Sequence, residues 1–224
     1  MTAGGMVKKT PLHLYNVTRY NKVIAGIKLK PNDHVVSASL EEEEYMIVTK
    51  NGYCLRFETR EIPVSGVKTA GVKGISLKED DSVVAGRSIA TNHEYATIFT
   101  DHFTAKRVRL SDIEKISRAK RGSLILKKVK STVYSVCYFE LGDTKTMYVL
   151  KYTDEVKKIK STDIPIMDMA STGSTISKES IININVDPSL IVIDASKEPI
   201  VGENSKKGSA EEAELPQFLE EFRL

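Results

Sequence analysis

Short apolar runs recur along this chain at a near-constant interval, each closed by a polar turn. YMIVT, YCLRF, ATIFT, VYSVCYF and MYVL are rich in Val, Ile, Tyr and Phe. Runs of this length bounded by Asn, Gly and Asp predict strands rather than helices. The interval is a repeat. YMIVTKNGYCLRFETREI ends at Ile62, ATIFTDHFTAKRVRLSDI at Ile113 and YVLKYTDEVKKIKSTDI at Ile164, so successive isoleucines lie 51 residues apart. An acid precedes each one (Glu61, Asp112, Asp163), and the apolar starts Ile47, Ile98 and Val149 match at one offset. An earlier, incomplete copy opens the chain: GMVKKTPL at Gly5 matches GYCLRFET at Gly52, and IKLKPNDHVV matches ISLKEDDSVV 48 residues later.

Each unit reads as four short strands, at about 45–50, 53–58, 72–77 and 82–87 in the first complete copy. Lys50-Asn51-Gly52 is a hairpin turn, with glycine supplying positive φ. Four strands in a unit of this length, unable to bury both faces alone, predict stacked blades. The fold expectation is all-β, a β-propeller of four-stranded repeats, partial or open. The spans are 1–38 for an incomplete first blade, 39–88, 89–139 and 140–193 for three blades, and 194–224 for an acidic, flexible tail. Leu215, Phe218, Leu219 and Phe222 give that tail a short amphipathic end. With the strand before Gly5 absent, the chain is expected to be a fragment of a longer protein or part of an open arc.

Composition narrows the function. No apolar run approaches the roughly 20 residues needed to span a bilayer, and no signal-peptide stretch follows Met1, so a cytoplasmic chain without membrane contact is expected. GxxxxGK[ST], GxSxG and HExxH are absent, and the four histidines and two cysteines show no metal-ligand spacing. The expectation is therefore no catalytic residue, no metal and no cofactor. Cys54 and Cys137, both within strand-like runs, read as buried structural thiols. The glutamates at 41–44 read as a solvated loop, and the aromatics, Tyr53 among them, as blade core.

Charge is uneven. Residues 194–224 carry a net −4, leaving a net +7 on residues 1–193. Lys9, Arg56, Arg107 and Lys158 occupy one position in successive units, with Lys8, Lys106 and Lys157 beside them. Equivalent rim positions would make a basic track able to follow a phosphate backbone without reading bases. The densest stretch, residues 104–130, holds ten Lys/Arg against Asp112 and Glu114. Much of it is the loop ISRAKRGS, whose counterparts are VKTAGVKG and the uncharged MASTGSTI. Candidate contacts to double-stranded DNA are therefore Lys8, Lys9, Arg56, Lys68, Lys73, Lys106, Arg107, Arg109, Arg118, Lys120, Arg121, Lys157 and Lys158.

VKKTPLHLYNVTRYNKVIAGIKLKPNDHVV, TKNGYCLRF and AGVKGISLKEDDSVVAG resemble the C-terminal domain of the A subunit of bacterial DNA topoisomerase IV, over about residues 5–190. The related domain of the gyrase A subunit shares the general repeat. The resemblance implies a strand-exchanged propeller, the β-pinwheel, whose basic rim binds and bends DNA for a catalytic core upstream in the same polypeptide. It implies the B subunit of topoisomerase IV as a further partner. It assigns the catalytic tyrosine, ATP and Mg to parts of the enzyme outside this chain. A gyrase wrapping domain and a propeller scaffold for protein partners are the alternatives. No QRRGGKG-like box is present to mark gyrase.

Overall fold

The computed structural model describes residues 1–16 and 23–187; the acidic tail and its amphipathic end lie outside the described residues. The chain forms β1 (Met6–Val7), β2 (Glu44–Thr49), β3 (Tyr53–Glu58), β4 (Val72–Lys73), β5 (Val83–Ile89), β6 (Tyr95–Thr100) and β7 (Thr104–Arg109). It continues as β8 (Ser123–Leu124), β9 (Val136–Gly142), β10 (Met147–Lys151), β11 (Val156–Lys160), β12 (Ser174–Thr175) and β13 (Asn183–Val186). Single 3-10 turns at Thr59–Glu61, Leu110–Asp112 and Ser161–Asp163 follow β3, β7 and β11.

The sheets interlock. Two four-stranded antiparallel sheets have the orders β5-β2-β3-β8 and β9-β6-β7-β12, and a third has the order β13-β10-β11. The fourth strand of each complete sheet comes from the following unit, and β4 likewise leaves its own unit to pair with β1. This corrects the expectation drawn from the strand pattern alone, in which four consecutive strands close one blade. The third strand is also two residues long rather than spanning 72–77. It ends early because the chain dives into the neighbouring core. Ile75 and Ile125 are buried at 1% and 0%, and their backbone N–H groups donate to the carbonyls of Gly5 and Gly52.

Glycine permits the exchange. Gly71, Gly122 and Gly173 recur every 51 residues and all have φ between 77° and 87°. A Cβ at Gly71 or Gly122 would overlap the carbonyl oxygen of Val7 or Cys54, and one at Gly173 would lie 2.9 Å from that of Ala105. Only glycine combines this backbone conformation with so close an approach.

Strand alternation sends each central strand into two cores at once. Tyr45 and Ile47 of β2 pack with Val7, Leu55, Phe57, Ile62 and Ile75, while Met46 and Val48 pack with Ile98, Val108, Ile113, Ile125 and Phe139. A third cluster joins Phe99 and Ala105 to Tyr148, Leu150 and Ile164. Blades stacked face to face thus explain runs buried on both sides. Cys54 is buried and its thiol is pushed up to about 12 by burial. Cys137 is exposed, contrary to the sequence expectation, its sulfur 3.4 Å from the carbonyl oxygen of Phe99.

Candidate nucleic-acid interface

The register-equivalent cations Lys9, Arg56 and Arg107 are fasteners. Lys9 donates to the carbonyl of Thr59 at 3.3 Å and to Glu41 at 2.9 Å. Arg56 donates to the carbonyls of Leu110 and Ile113 at 2.6 and 3.2 Å, and to Glu44 at 2.6 Å. Arg107 donates to the carbonyl of Ile164 at 2.7 Å and stacks 4.7 Å from the Tyr95 ring centroid. Every one of these groups reaches the 3-10 turn of the next unit. Parallel bridges Lys9–Val64, Arg56–Lys115 and Arg107–Ile166 accompany them. Hydrogen bonds from charged donors are stronger than neutral ones, so the same step along the repeat is bolted at all three places.

The neighbouring position is internal too. Lys106 is fully buried, and its ammonium donates to the carbonyls of Asp168, Met169 and Ser171 and to the Ser171 hydroxyl, at 2.8 to 3.0 Å. Burial pulls its pKa down to about 8. Lys8 binds the carbonyls of Gly26 and Val67 at 2.6 and 2.8 Å. In the unit between them the same place is held by the apolar Leu55, 1% exposed. Lys106 and Arg107, read from sequence as rim contacts, therefore face inward, and Lys8, Lys9 and Arg56 have their donors engaged by the protein. Strand alternation and blade stacking bury both sides of this strand, so a common register position here means a common interior bond. Lys157 pairs with Glu155 at 2.5 Å, and Lys158 with Asp187 at 2.7 Å, both on the exposed β11.

Residues 41–43 form the exposed loop expected before β2, with Glu41 paired to Lys9, while Glu44 opens β2 half-buried and joins the same scheme. Glu44 accepts from Arg56 and from Lys115, the latter at 3.2 Å. Burial opposes ionisation of Glu44, but the Arg56 and Lys115 bonds outweigh it and hold the carboxyl below its ordinary range.

The outward charge lies on the loops that lead into the exchanged strands. Those loops are chained together by one repeated hydrogen bond: Lys28 N–H to the carbonyl of Thr69, Ser76 to Lys120, and Lys127 to Ser171, at 2.9 to 3.1 Å. Three successive loops thereby form one continuous edge. Lys68, Lys73, Lys120, Lys127, Lys128 and Lys130 stand exposed on it, and none has an ion-pair partner among the described residues. Arg109, at the end of β7, is likewise exposed. Arg118 is a brace: its guanidinium binds the carbonyls of Glu61 and Lys73. Arg121 stacks 3.8 Å from the Tyr53 ring centroid, with Lys128 5.3 Å from the same ring. Tyr53, read as blade core, belongs to none of the buried clusters; it is half-buried at the start of β3. Its signal was position: it immediately follows the hairpin glycine Gly52, where the strand borders the incoming chain.

Among the described residues no group of His, Cys, Asp and Glu could hold a metal ion, and no helix is long and apolar enough to cross a membrane. The edge offers exposed cations without ion-pair partners among the described residues.

Residues 1–40, 43–90 and 98–131 match the family model described as DNA gyrase C-terminal domain, beta-propeller. The chain is 36% identical to the A subunit of DNA topoisomerase 4 from Bacillus subtilis over 77% of its own length and 22% of the relative's. It is 42% identical to the Streptococcus pyogenes counterpart over 61% of its length and 17% of the relative's. The chain thus spans about a fifth of the curated relatives it matches. A crystal structure of the C-terminal domain of DNA topoisomerase IV superposes with a TM-score of 0.78 at 35% identity, covering 83% of this chain and 59% of that one. The chain belongs to the β-propeller family of DNA gyrase C-terminal domains, as a β-pinwheel of the kind carried by the A subunit of topoisomerase IV.

Proposed function

We propose that this chain binds the backbone of duplex DNA along its loop edge, bends it, and presents the segment to the catalytic core of a type IIA topoisomerase. The observation that carries this reading is the unpaired charge of Lys68, Lys73, Lys120, Arg121, Lys127 and Lys128 on loops joined into one line. Exposed Arg109 adds a further cation, whereas Lys157 and Lys158 are paired with Glu155 and Asp187 and would contribute less. Cations without carboxylate partners release counterions from DNA and gain affinity, and a line of them tracks phosphates without reading sequence. The role of the whole enzyme is supercoil relaxation and decatenation in chromosome segregation, in the bacterial cytoplasm, with the B subunit as partner. ATP and Mg act elsewhere in that assembly. Similarity to topoisomerase 4 chains favours this over gyrase-type wrapping.

Bending a 20–30 bp segment costs on the order of 1–6 kcal/mol, offset when the curve adds phosphate contacts. The test is duplex affinity against salt together with energy transfer between dyes at the duplex ends. About 4–6 neutralised phosphates give a log–log slope of roughly −4 to −5, and transfer rises on binding. A slope near zero supports a protein scaffold instead and overturns the DNA reading. Binding without a rise in transfer overturns bending.

A further inference from the structure

Within that edge, one place has a geometry that the rest lacks. Tyr53 belongs to the first complete unit, and Arg121 and Lys128 to the second; they meet only because β8 crosses to pair with β3, placing Leu124 opposite Tyr53 and Ser123 opposite Cys54. The Arg121 guanidinium lies 3.8 Å from the Tyr53 ring centroid and the Lys128 ammonium 5.3 Å from it. Arg121 Nε is buried with no hydrogen-bond acceptor, and no carboxylate pairs with Arg121 or Lys128 among the described residues.

Two cations drawn to one ring would ordinarily recruit an acid. Here none is supplied by the described residues, so the pair keeps its full positive charge. The Arg121 guanidinium carbon lies over the Tyr53 ring with Nε buried, and no hydrogen bond among the described residues engages its terminal N–H groups, which can donate to the oxygens of a tetrahedral anion. Other junctions of the repeat lack the set. Shifting by 51 residues replaces Tyr53, Arg121 and Lys128 with Thr104, Thr172 and Glu179. The corresponding opening-copy residues are Met6, Ala70 and Leu77.

We propose that Tyr53, Arg121 and Lys128 form a preorganised seat for a single phosphodiester, the anchoring contact of the loop edge. This rests on the DNA reading above and sharpens it: binding is focused at the junction of the two complete blades rather than spread evenly along the repeat. Because the seat spans an exchanged strand, it exists only when both blades are assembled.

The experiment measures affinity of the full chain for a mixed-sequence duplex by anisotropy, with variants Tyr53→Phe, Tyr53→Leu, Arg121→Lys, Arg121→Gln and the double variant Tyr53→Leu/Arg121→Gln. Circular dichroism and urea melts establish that each variant folds. Tyr53→Phe keeps the ring and binds as wild type. Tyr53→Leu loses about 3- to 10-fold and Arg121→Gln about 10-fold, from the sizes of cation–π and charged contacts. The double variant is no weaker than Arg121→Gln, because the ring acts through the guanidinium. Arg121→Lys weakens binding while leaving the salt slope unchanged. If the two single effects multiply, or if neither variant changes affinity while wild type binds, the seat is overturned and the DNA reading stands. If wild type does not bind duplex at any salt, the DNA reading itself falls. The Arg121 Nε–H resonance is followed in parallel with short duplex and with inorganic phosphate alone. A shift with duplex at concentrations where inorganic phosphate has no effect supports the phosphodiester. A shift with inorganic phosphate and none with duplex assigns a free-phosphate site and overturns the proposal.

Discussion

The junction between the two complete blades and the junction after it use the same backbone for opposite purposes. In both, a loop leads through a glycine into a short strand that pairs with the preceding blade. At the first, the loop carries Arg118, Lys120 and Arg121, and the strand position beneath it is Leu55. At the second, the loop at 168–172 carries no cation, and the position beneath it is Lys106, whose ammonium is spent on the loop's own carbonyls. One junction turns positive charge outward; the other turns it inward. Counting basic residues cannot separate the two, because both contain them. What separates them is whether backbone carbonyls of the protein already occupy the donors.

The largest expected effect tests the shared backbone. Gly122→Ala forces a Cβ into the Cys54 carbonyl at positive φ, whereas Gly173→Ala meets a carbonyl 2.9 Å away. Loss of about 3 kcal/mol or more is expected for the first and about 1–2 kcal/mol for the second, read from urea unfolding. Equal losses would mean that the two crossings are packed alike.

Next in size is the outward charge. Lys120→Glu, Lys127→Glu and Lys128→Glu together should weaken duplex binding by about 10- to 100-fold or more, given the salt-linked energy of several phosphate contacts. Ser171→Glu with Thr172→Glu, the same kind of change at the second loop, should cost less than about 3-fold if phosphates are held at the first junction. Comparable losses would spread the interface evenly.

Inward charge should report through pH. Lys106 in the fold has a pKa of about 8, while an unfolded lysine titrates near about 10.4. Between those values the unfolded chain binds the extra proton, so stability from this group rises with pH across about 8 to 10.4, by at most about 1.4 kcal/mol per pH unit. Lys106→Met should remove that rise. It should also destabilise at pH 7 by about 1–3 kcal/mol, since three carbonyls lose their donor. Unfolding free energies measured from pH 7 to 10 on both proteins check it, and an unchanged rise in the variant would place the titration elsewhere.

Much of this molecule is legible in its sequence, and the parts that are not share a cause. β2, β3, β5, β6 and β7 follow from apolar runs and polar turns, and the 51-residue spacing locates equivalent positions correctly. Periodicity does not say which blade a two-residue strand joins. Pattern alone places β8 and β12 in their own units, and the exchange comes only from the family resemblance. Gly71, Gly122 and Gly173 are a readable signal of close approach at each crossing. The repeat register correctly groups Lys9, Arg56 and Arg107, yet their common function is to tie each strand to the following turn. A strand buried on both faces leaves its polar residues no rim to occupy. Lys120, Lys127 and Lys128 fall in loops, where side chains reach solvent by default, and there basic sequence does mean surface charge. Aromatics in strands usually belong to the core, which is why pattern misplaces Tyr53; its position beside the entering chain makes it a platform instead.

The most direct measurement is the salt dependence of duplex binding for two sets of neutralised variants, each compared with wild type. Lys120→Gln with Lys127→Gln and Lys128→Gln removes outward charge. Lys106→Met with Arg107→Met removes the same kind of charge from the interior, and is studied where melts confirm that it remains folded. The first set should flatten the log–log slope by about 0.9 for each phosphate no longer neutralised, and the second should leave the slope unchanged while lowering stability. A slope that flattens equally in both sets, or only in the second, would contradict the division between fastening and binding charge.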